Sequence, residues 1–200
     1  MGMKSIRRIF LCVFLLGAQL FGQTRDANRP AATAPALEVS AGYVFMSMSQ
    51  PSLSRLDLNG VDANGLVQFS PRWGATADFT FARAGNVPGT NHSDNVFSGL
   101  VGPVFFLRET EKTAIFVHAL AGLAWIDSAV PVSSTAYFSG WETRFSYALG
   151  GGVERVLFGP FSVRATGDYQ KTTFVNSTLA LQKQNNLRVT TSIVYRFGGR

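Results

Sequence analysis

His92, Ser93 and Asp94 are neighbours in the sequence and have the side-chain types of a hydrolytic triad. Triad catalysis needs the three groups to meet in a defined chain of hydrogen bonds, which sequence neighbours do not form by position alone. We therefore interpret this stretch as a polar turn, with a hydrolase as the alternative. His118 is the only other histidine, and its apolar neighbours favour a packed or hydrogen-bonded side chain over a catalytic one.

The sequence offers little material for a bound metal or cofactor. The two histidines are far apart, and the single cysteine, Cys12, lies in an apolar stretch near the N-terminus. Zinc sites use clustered cysteine and histidine ligands, and nucleotide sites use glycine-rich motifs, and neither pattern stands out here. We therefore predict no catalytic residue, no metal and no cofactor.

A second group of chemically active residues consists of charges that alternate with apolar side chains. They are Glu38, Asp78, Arg144, Glu154, Arg164, Asp168, Arg188 and Arg196. If these four acids and four bases are enclosed together, they should pair, because an unpaired charge in a narrow interior is costly. A structural ion-pair network is the favoured hypothesis, and a gated path for protons or ions is the alternative.

Eight stretches of the chain have strand character, mostly with the period-two alternation that predicts β-strands. They are Leu37–Met48, Val61–Ser70, Gly74–Arg83, Asn95–Leu107, Thr113–Asp127, Glu142–Phe158, Phe161–Phe174 and Asn186–Phe197. Most of them supply the roughly ten residues that a tilted strand needs to cross a bilayer. Pro103 interrupts the fourth stretch, where we expect a bulge or a local irregularity.

The connectors between these stretches alternate between long and short. The four long connectors are Ser49–Gly60, Ala84–Asp94, Ser128–Trp141 and Val175–Asn185. Transmembrane β-barrels have this asymmetry, with short periplasmic turns and longer extracellular loops. The pattern therefore predicts an all-β fold, an eight-stranded antiparallel up-and-down transmembrane β-barrel, with the long loops outside and both termini on the periplasmic side.

The last stretch indicates which face of the barrel meets lipid. One of its faces is apolar and ends in Tyr195 and Phe197, and the other carries Arg188 and Arg196. The polar faces of the other strands hold mainly glycine, serine and threonine, which suits a narrow interior, and aromatic residues collect at strand ends as in interfacial girdles. We therefore expect the apolar faces to contact lipid and the arginines to point inward. The interior of an eight-stranded barrel is filled by side chains, so a wide pore is not expected.

The first residues have the character of an export signal. Lys4, Arg7 and Arg8 precede an apolar run that is too short to span a membrane as a helix, which is typical of a secretory signal peptide. A twin-arginine signal is the alternative. We predict a signal peptide at residues 1–23, a flexible leader rich in Ala, Pro and Thr at residues 24–36, and the barrel at residues 37–200. The net charge of +6 comes partly from the signal, and without a basic stripe it does not indicate nucleic-acid binding.

With these features the chain resembles the small bacterial outer-membrane β-barrel domains, similar to the transmembrane domain of outer membrane protein A and its short eight-stranded relatives. The resemblance covers Leu37 to Phe197 and rests on the signal, the eight strands, the alternating connectors and the final aromatic "YRF". The three residues that follow Phe197 depart from the aromatic end of the family's last strand. The resemblance implies export across the inner membrane and location in the outer membrane. It also implies the barrel-assembly machinery, outer-membrane lipids and lipopolysaccharide as partners, and a monomer.

Functions of different classes fit these observations. The favoured one is a non-enzymatic barrel with a structural role, or with a surface-interaction role for its four long loops. The alternatives are an outer-membrane enzyme that acts on lipid or peptide, and a soluble exported barrel, similar to the lipocalins, that binds a small apolar ligand.

Overall fold

The structure is a computed structural model that describes residues 36–49, 55–85, 93–131, 137–175 and 181–197. The predicted signal peptide and almost all of the predicted leader lie outside these ranges. The described residues form eight β-strands: β1 (Ala36–Met48), β2 (Leu56–Gln68), β3 (Trp73–Ala84), β4 (Asp94–Glu109), β5 (Thr113–Pro131), β6 (Tyr137–Phe158), β7 (Phe161–Val175) and β8 (Leu181–Phe197).

The eight strands form a closed barrel in which every strand pairs antiparallel with its neighbours in the sequence. Closure is made by β1 and β8, with Glu38 opposite Arg196 and Ser47 opposite Leu187. This arrangement confirms the predicted fold class, because all the strand pairs of an up-and-down barrel are formed by adjacent strands and one closing pair.

Within the described ranges, no helix is long and apolar enough to cross a membrane.

Three strands begin five residues earlier than the sequence predicts, which shortens the predicted long connectors. β2 begins at Leu56, β6 at Tyr137 and β8 at Leu181, so the predicted loop bounds are wrong at these points. In β2 the error has a clear cause, since Asn59 and Gly60 have the character of turn residues but instead continue the ladder with β1. Leu56 and Leu58, which alternate with Asp57 and Asn59, are buried.

The opposite end of the barrel is closed by three short turns. The connector from β2 to β3 is held by the Ser70 hydroxyl, which accepts a hydrogen bond from the backbone nitrogen of Trp73 at 3.0 Å. The turn from β6 to β7 contains Gly159 with φ of 52°, a left-handed conformation that glycine adopts without strain. We refer to this end as the short-turn end and to the other as the long-loop end.

The sequence predicts a bulge or a local irregularity at Pro103. The β4–β5 ladder does not pair Gly102 or Pro103, but the register shift lies farther along the strand. The register between β4 and β5 is the same before and after Pro103, and it shifts between Phe106 and Arg108. Proline has no N–H for the ladder, but on its other side Pro103 still lies opposite Ala75 of β3. The register shift in the β4–β5 ladder therefore lies close to the short turn, at the rim of the barrel, where β-bulges are common.

The outward face of the barrel is apolar around its circumference. Many of its large apolar side chains are between 38% and 68% exposed, for example Val61, Val101, Leu149 and Ile193. Exposed aromatic residues lie towards both ends: Phe69, Trp73, Phe158, Tyr195 and Phe197 at the short-turn end, and Tyr43, Phe81, Phe145 and Tyr169 towards the long-loop end. An apolar band between two aromatic girdles is the exterior of a transmembrane barrel.

Candidate functional site

The barrel interior holds two clusters of charged side chains, one above the other. The cluster nearer the short-turn end, which we call the lower cluster, consists of Glu38, Glu154, Arg164 and Arg196. Arg164 donates from Nη2 to Glu154 Oε2 at 2.6 Å and also to Glu38. Arg196 donates from Nε to the second oxygen of Glu38 at 2.6 Å. Glu38 therefore bridges two guanidinium groups from β7 and β8.

Neighbouring side chains hold the lower cluster in place. The Arg164 guanidinium lies 5.5 Å from the centre of the Phe116 ring, within the range of a cation–π contact. Arg164 also donates to Asn64 Oδ1 at 3.3 Å. Glu109 accepts a hydrogen bond from Gln68 at 3.0 Å and lies 3.9 Å from Arg196, at the end of the cluster that faces the short turns.

The second cluster, which we call the central cluster, is built around Arg188 of β8. It contains Asp62, Asp78, Thr80, His118, Asp168 and Arg188. Arg188 donates to Asp78 Oδ1 at 2.5 Å, and from Nη2 and Nε to Asp168 Oδ2 at 2.7 and 3.0 Å. Hydrogen bonds between a guanidinium and a carboxylate are the strongest kind in proteins, so Arg188 joins β8 to β3 and β7.

His118 is part of the central cluster. Its Nε2 lies 2.5 Å from Asp168 Oδ1, and its side chain is 7% exposed. Because an ionised carboxylate only accepts hydrogen bonds, Nε2 carries a proton. The space for Asp168 is left by Gly150, where an added Cβ would lie 2.0 Å from Asp168 Oδ1. This geometry agrees with the expectation of a hydrogen-bonded histidine.

Arg144 stands apart from the other charges of the predicted network. Its Nη2 lies 2.6 Å from Glu142 on the same strand, and its side chain is 39% exposed. It lies towards the long-loop end of β6, above the central cluster. The other seven predicted residues lie in the two clusters: Glu38, Asp78, Glu154, Arg164, Asp168, Arg188 and Arg196.

Asp62 is a buried charge that the predicted network did not include. It is 5% exposed, and its Oδ2 lies 2.9 Å from the Thr80 hydroxyl. Asp62 lies within the predicted stretch Val61–Ser70, where its alternation with Val61 and Ala63 is the signal for an inward carboxylate. The contact of His118 with Asp168 joins β5 and β7, which are not neighbours, so the sequence gives no signal for it.

The candidate triad is only partly described. His92 lies outside the described residues, and the Ser93 hydroxyl accepts a hydrogen bond from Arg83 Nη2 at 3.1 Å. Asp94 begins β4 and is 6% exposed. Ser93 is thus engaged with an arginine, which supports its interpretation as part of a polar connector.

Apolar side chains fill the interior above the central cluster on the side of β1 to β5. This apolar layer is formed by Val44, Met46, Met48, Leu56, Leu58, Ala82, Ala84, Val96, Ala124 and Ile126. Between the two charge clusters lies a cavity of about 20 Å³, whose lining includes Ser40, Asp62, Asp78, Arg164 and Thr190. A cavity of this volume is large enough for a single water molecule. The described interior is therefore packed with side chains.

No protein-family model matches the sequence. No curated protein matches it either.

Solved structures share the fold. Neisserial surface protein A, NspA, matches with a TM-score of 0.66 at 12% sequence identity, over 84% of this chain and 100% of that chain. Ail, the attachment invasion locus protein of Yersinia pestis, matches with a TM-score of 0.56 at 20% identity, over 81% of this chain and 98% of that one. Ail in complex with the heparin analogue sucrose octasulfate matches with a TM-score of 0.55 at 20% identity, over 82% and 99% of the two chains. The fold of this protein is therefore that of the small eight-stranded outer-membrane β-barrels, which confirms the fold implied by the sequence resemblance.

Proposed function

We propose that this protein is an integral, non-enzymatic β-barrel of a bacterial outer membrane, with a structural or surface-interaction role carried by its long-loop end. The observation that carries the proposal is the distribution of side chains: the outside of the closed barrel is apolar around its circumference, and the buried charges lie inside. Large apolar side chains exposed around a whole circumference are unfavourable in water and favourable in lipid. A closed barrel also leaves no unpaired strand edge in the hydrocarbon region.

The two alternatives receive less support from the geometry. A lipocalin-like barrel would need a cavity for an apolar ligand, whereas the cavity described here is about 20 Å³ and is lined mainly by polar and charged residues. For an enzyme, the candidate serine is engaged with Arg83, and His118 is turned into the interior towards Asp168.

The surface-interaction role is supported by comparison with Ail. That protein is described as an attachment invasion locus protein, and its structure has been solved with a heparin analogue. The likeness to this chain is one of fold, so the nature of any partner of the long loops is left to experiment.

The first prediction concerns location. The protein is expected in the outer-membrane fraction of a Gram-negative-type cell, because its apolar exterior requires lipid. Folded and boiled samples should migrate differently on a detergent gel, since a closed barrel resists unfolding by the detergent alone. Recovery of the folded protein in the soluble periplasmic fraction would contradict the proposal.

The second prediction concerns orientation. Because the only cysteine, Cys12, lies in the predicted signal peptide, single cysteines can be introduced without background. Gly85→Cys, just beyond β3 at the long-loop end, should react with a membrane-impermeant thiol reagent in intact cells. Lys112→Cys, in the short turn between β4 and β5, should react only after the outer membrane is permeabilised. Both residues are exposed, so the two positions form a matched pair. Reaction of Lys112→Cys alone in intact cells would reverse the proposed orientation.

A further inference from the structure

The central cluster has one carboxylate more than its basic groups can balance. Asp62, Asp78 and Asp168 are 5%, 6% and 1% exposed. The basic groups in the cluster are Arg188 and His118. Even if the imidazole is charged, one negative charge is left over, and a buried carboxylate without a compensating charge is strongly unfavourable.

The excess charge can be assigned to Asp62. Asp78 and Asp168 each contact Arg188, at 2.5 and 2.7 Å. Asp62, by contrast, forms no ion pair with any of the described residues, and its contact is the Thr80 hydroxyl at 2.9 Å.

The Thr80 hydroxyl has one proton and lies next to two carboxyl groups, those of Asp62 and Asp78. One of these two contacts therefore lacks a proton unless Asp62 is protonated. The hydroxyl lies 2.9 Å from Asp62 Oδ2 and 3.3 Å from Asp78 Oδ1, and it accepts a hydrogen bond from Arg188 at 2.7 Å. A hydroxyl can donate one hydrogen bond and accept two. If Asp62 is protonated, its O–H donates to Thr80, and Thr80 donates to Asp78. All three contacts are then satisfied.

The other side of Asp62 faces the polar cavity between the clusters. Arg164 of β7 and His118 of β5 also line this cavity, but Arg164 is engaged with Glu38 and Glu154 of the lower cluster. The cavity-lining residues Ser40 of β1 and Thr190 of β8 are 8% and 4% exposed. Their hydroxyls have no hydrogen-bond partner among the described residues. The cavity that Asp62 lines therefore contains two further hydroxyls whose hydrogen bonds are unsatisfied.

We propose that this part of the interior is a proton-binding site, in which Asp62 carries a proton in the folded barrel at neutral pH. The proton neutralises the surplus carboxylate of the central cluster, and Thr80 connects it to Asp78. Arg188 then faces Asp78 and Asp168, and His118 Nε2–H donates to Asp168.

The proposal predicts a pH dependence of stability whose sign is fixed. An aspartate in an unfolded chain loses its proton near pH 4. Above that pH the folded barrel binds one proton more than the unfolded chain, so its stability falls as the pH rises. Relative to Asp62→Asn, the unfolding constant of the wild type should therefore rise about tenfold per pH unit from pH 5, as long as the folded protein keeps the proton.

The test compares the wild type, Asp62→Asn, Asp78→Asn and the control Asp57→Asn by urea unfolding in detergent micelles at several pH values. Asp57 is an exposed aspartate on the same strand. Asp62→Asn should remove the pH-dependent component and be at least as stable as the wild type at pH 7. Asp78→Asn should be less stable, and Asp57→Asn should behave as the wild type. Infrared spectra of the folded proteins at pH 7 should show a protonated carboxyl band that Asp62→Asn alone lacks.

Two results would overturn the proposal. In the first, Asp62→Asn destabilises the barrel or prevents folding, and the wild type shows no protonated carboxyl band. In the second, the wild type is stabilised by NaCl relative to choline chloride and Asp62→Asn is not, which would assign the compensating charge to a bound sodium ion.

Discussion

Arg188→Ala is expected to lower the free energy of unfolding by about 3–5 kcal/mol, because it leaves buried carboxylates without their guanidinium. Arg188 is 1% exposed, and it contacts both Asp78 and Asp168. The loss can be measured by urea unfolding in lipid vesicles, followed by the fluorescence of the native tryptophans.

Arg144→Ala is the matched control for Arg188→Ala. Its side chain is 39% exposed, and a partly exposed ion pair contributes about 1 kcal/mol or less. If the two substitutions have equal effects, the central cluster does not stabilise the barrel in the way its geometry indicates.

Ile193→Arg is expected to destabilise the barrel for the opposite reason. Ile193 is 54% exposed on the apolar face of β8, and an arginine placed there is exposed to hydrocarbon. Such a charge costs about 2–4 kcal/mol at the middle of a bilayer and falls to about 0–1 kcal/mol near its surface. The measurement is the same unfolding titration in vesicles, together with the yield of folded protein.

Thr143→Arg serves as the control for Ile193→Arg, because Thr143 is exposed on β6 towards the long-loop end, two residues from Phe145 of the aromatic girdle. It should have a small effect. If Ile193→Arg folds as the wild type does while Arg188→Leu folds better, then the face assigned to lipid is the wrong one.

The fold could be predicted from the sequence because period-two alternation is a local property. In β8, the alternation alone separates Arg188 from Ile193, and the structure leaves the first buried and the second exposed. The alternating connector lengths supplied the up-and-down topology. The start of β2 was misjudged because Asn59 and Gly60 are turn residues by type, although pairing with β1 keeps them extended.

The arrangement of the interior could not be predicted in the same way. Which residues meet across a barrel depends on the stagger of its strands, which alternation does not encode. Asp168 illustrates the difference, because its inward direction follows from parity, whereas its contact with His118 requires the register of β5, β6 and β7. Asp62 lies inside the predicted stretch Val61–Ser70 and on its inward parity, but it was not included in the predicted network.

The position of Arg188 and Arg196 on β8 has a consequence for the order of assembly. Before the last strand joins, the inward side chains of β1 to β7 include Glu38, Asp62, Asp78, Glu154 and Asp168, and among the buried charges Arg164 alone opposes them. An unclosed sheet therefore carries a negative surplus along the surface that becomes the interior. β8 brings two positive charges to it, so electrostatic attraction favours docking of the final strand. In a sheet without β8 these carboxylates repel one another, and closure is expected to relieve this repulsion.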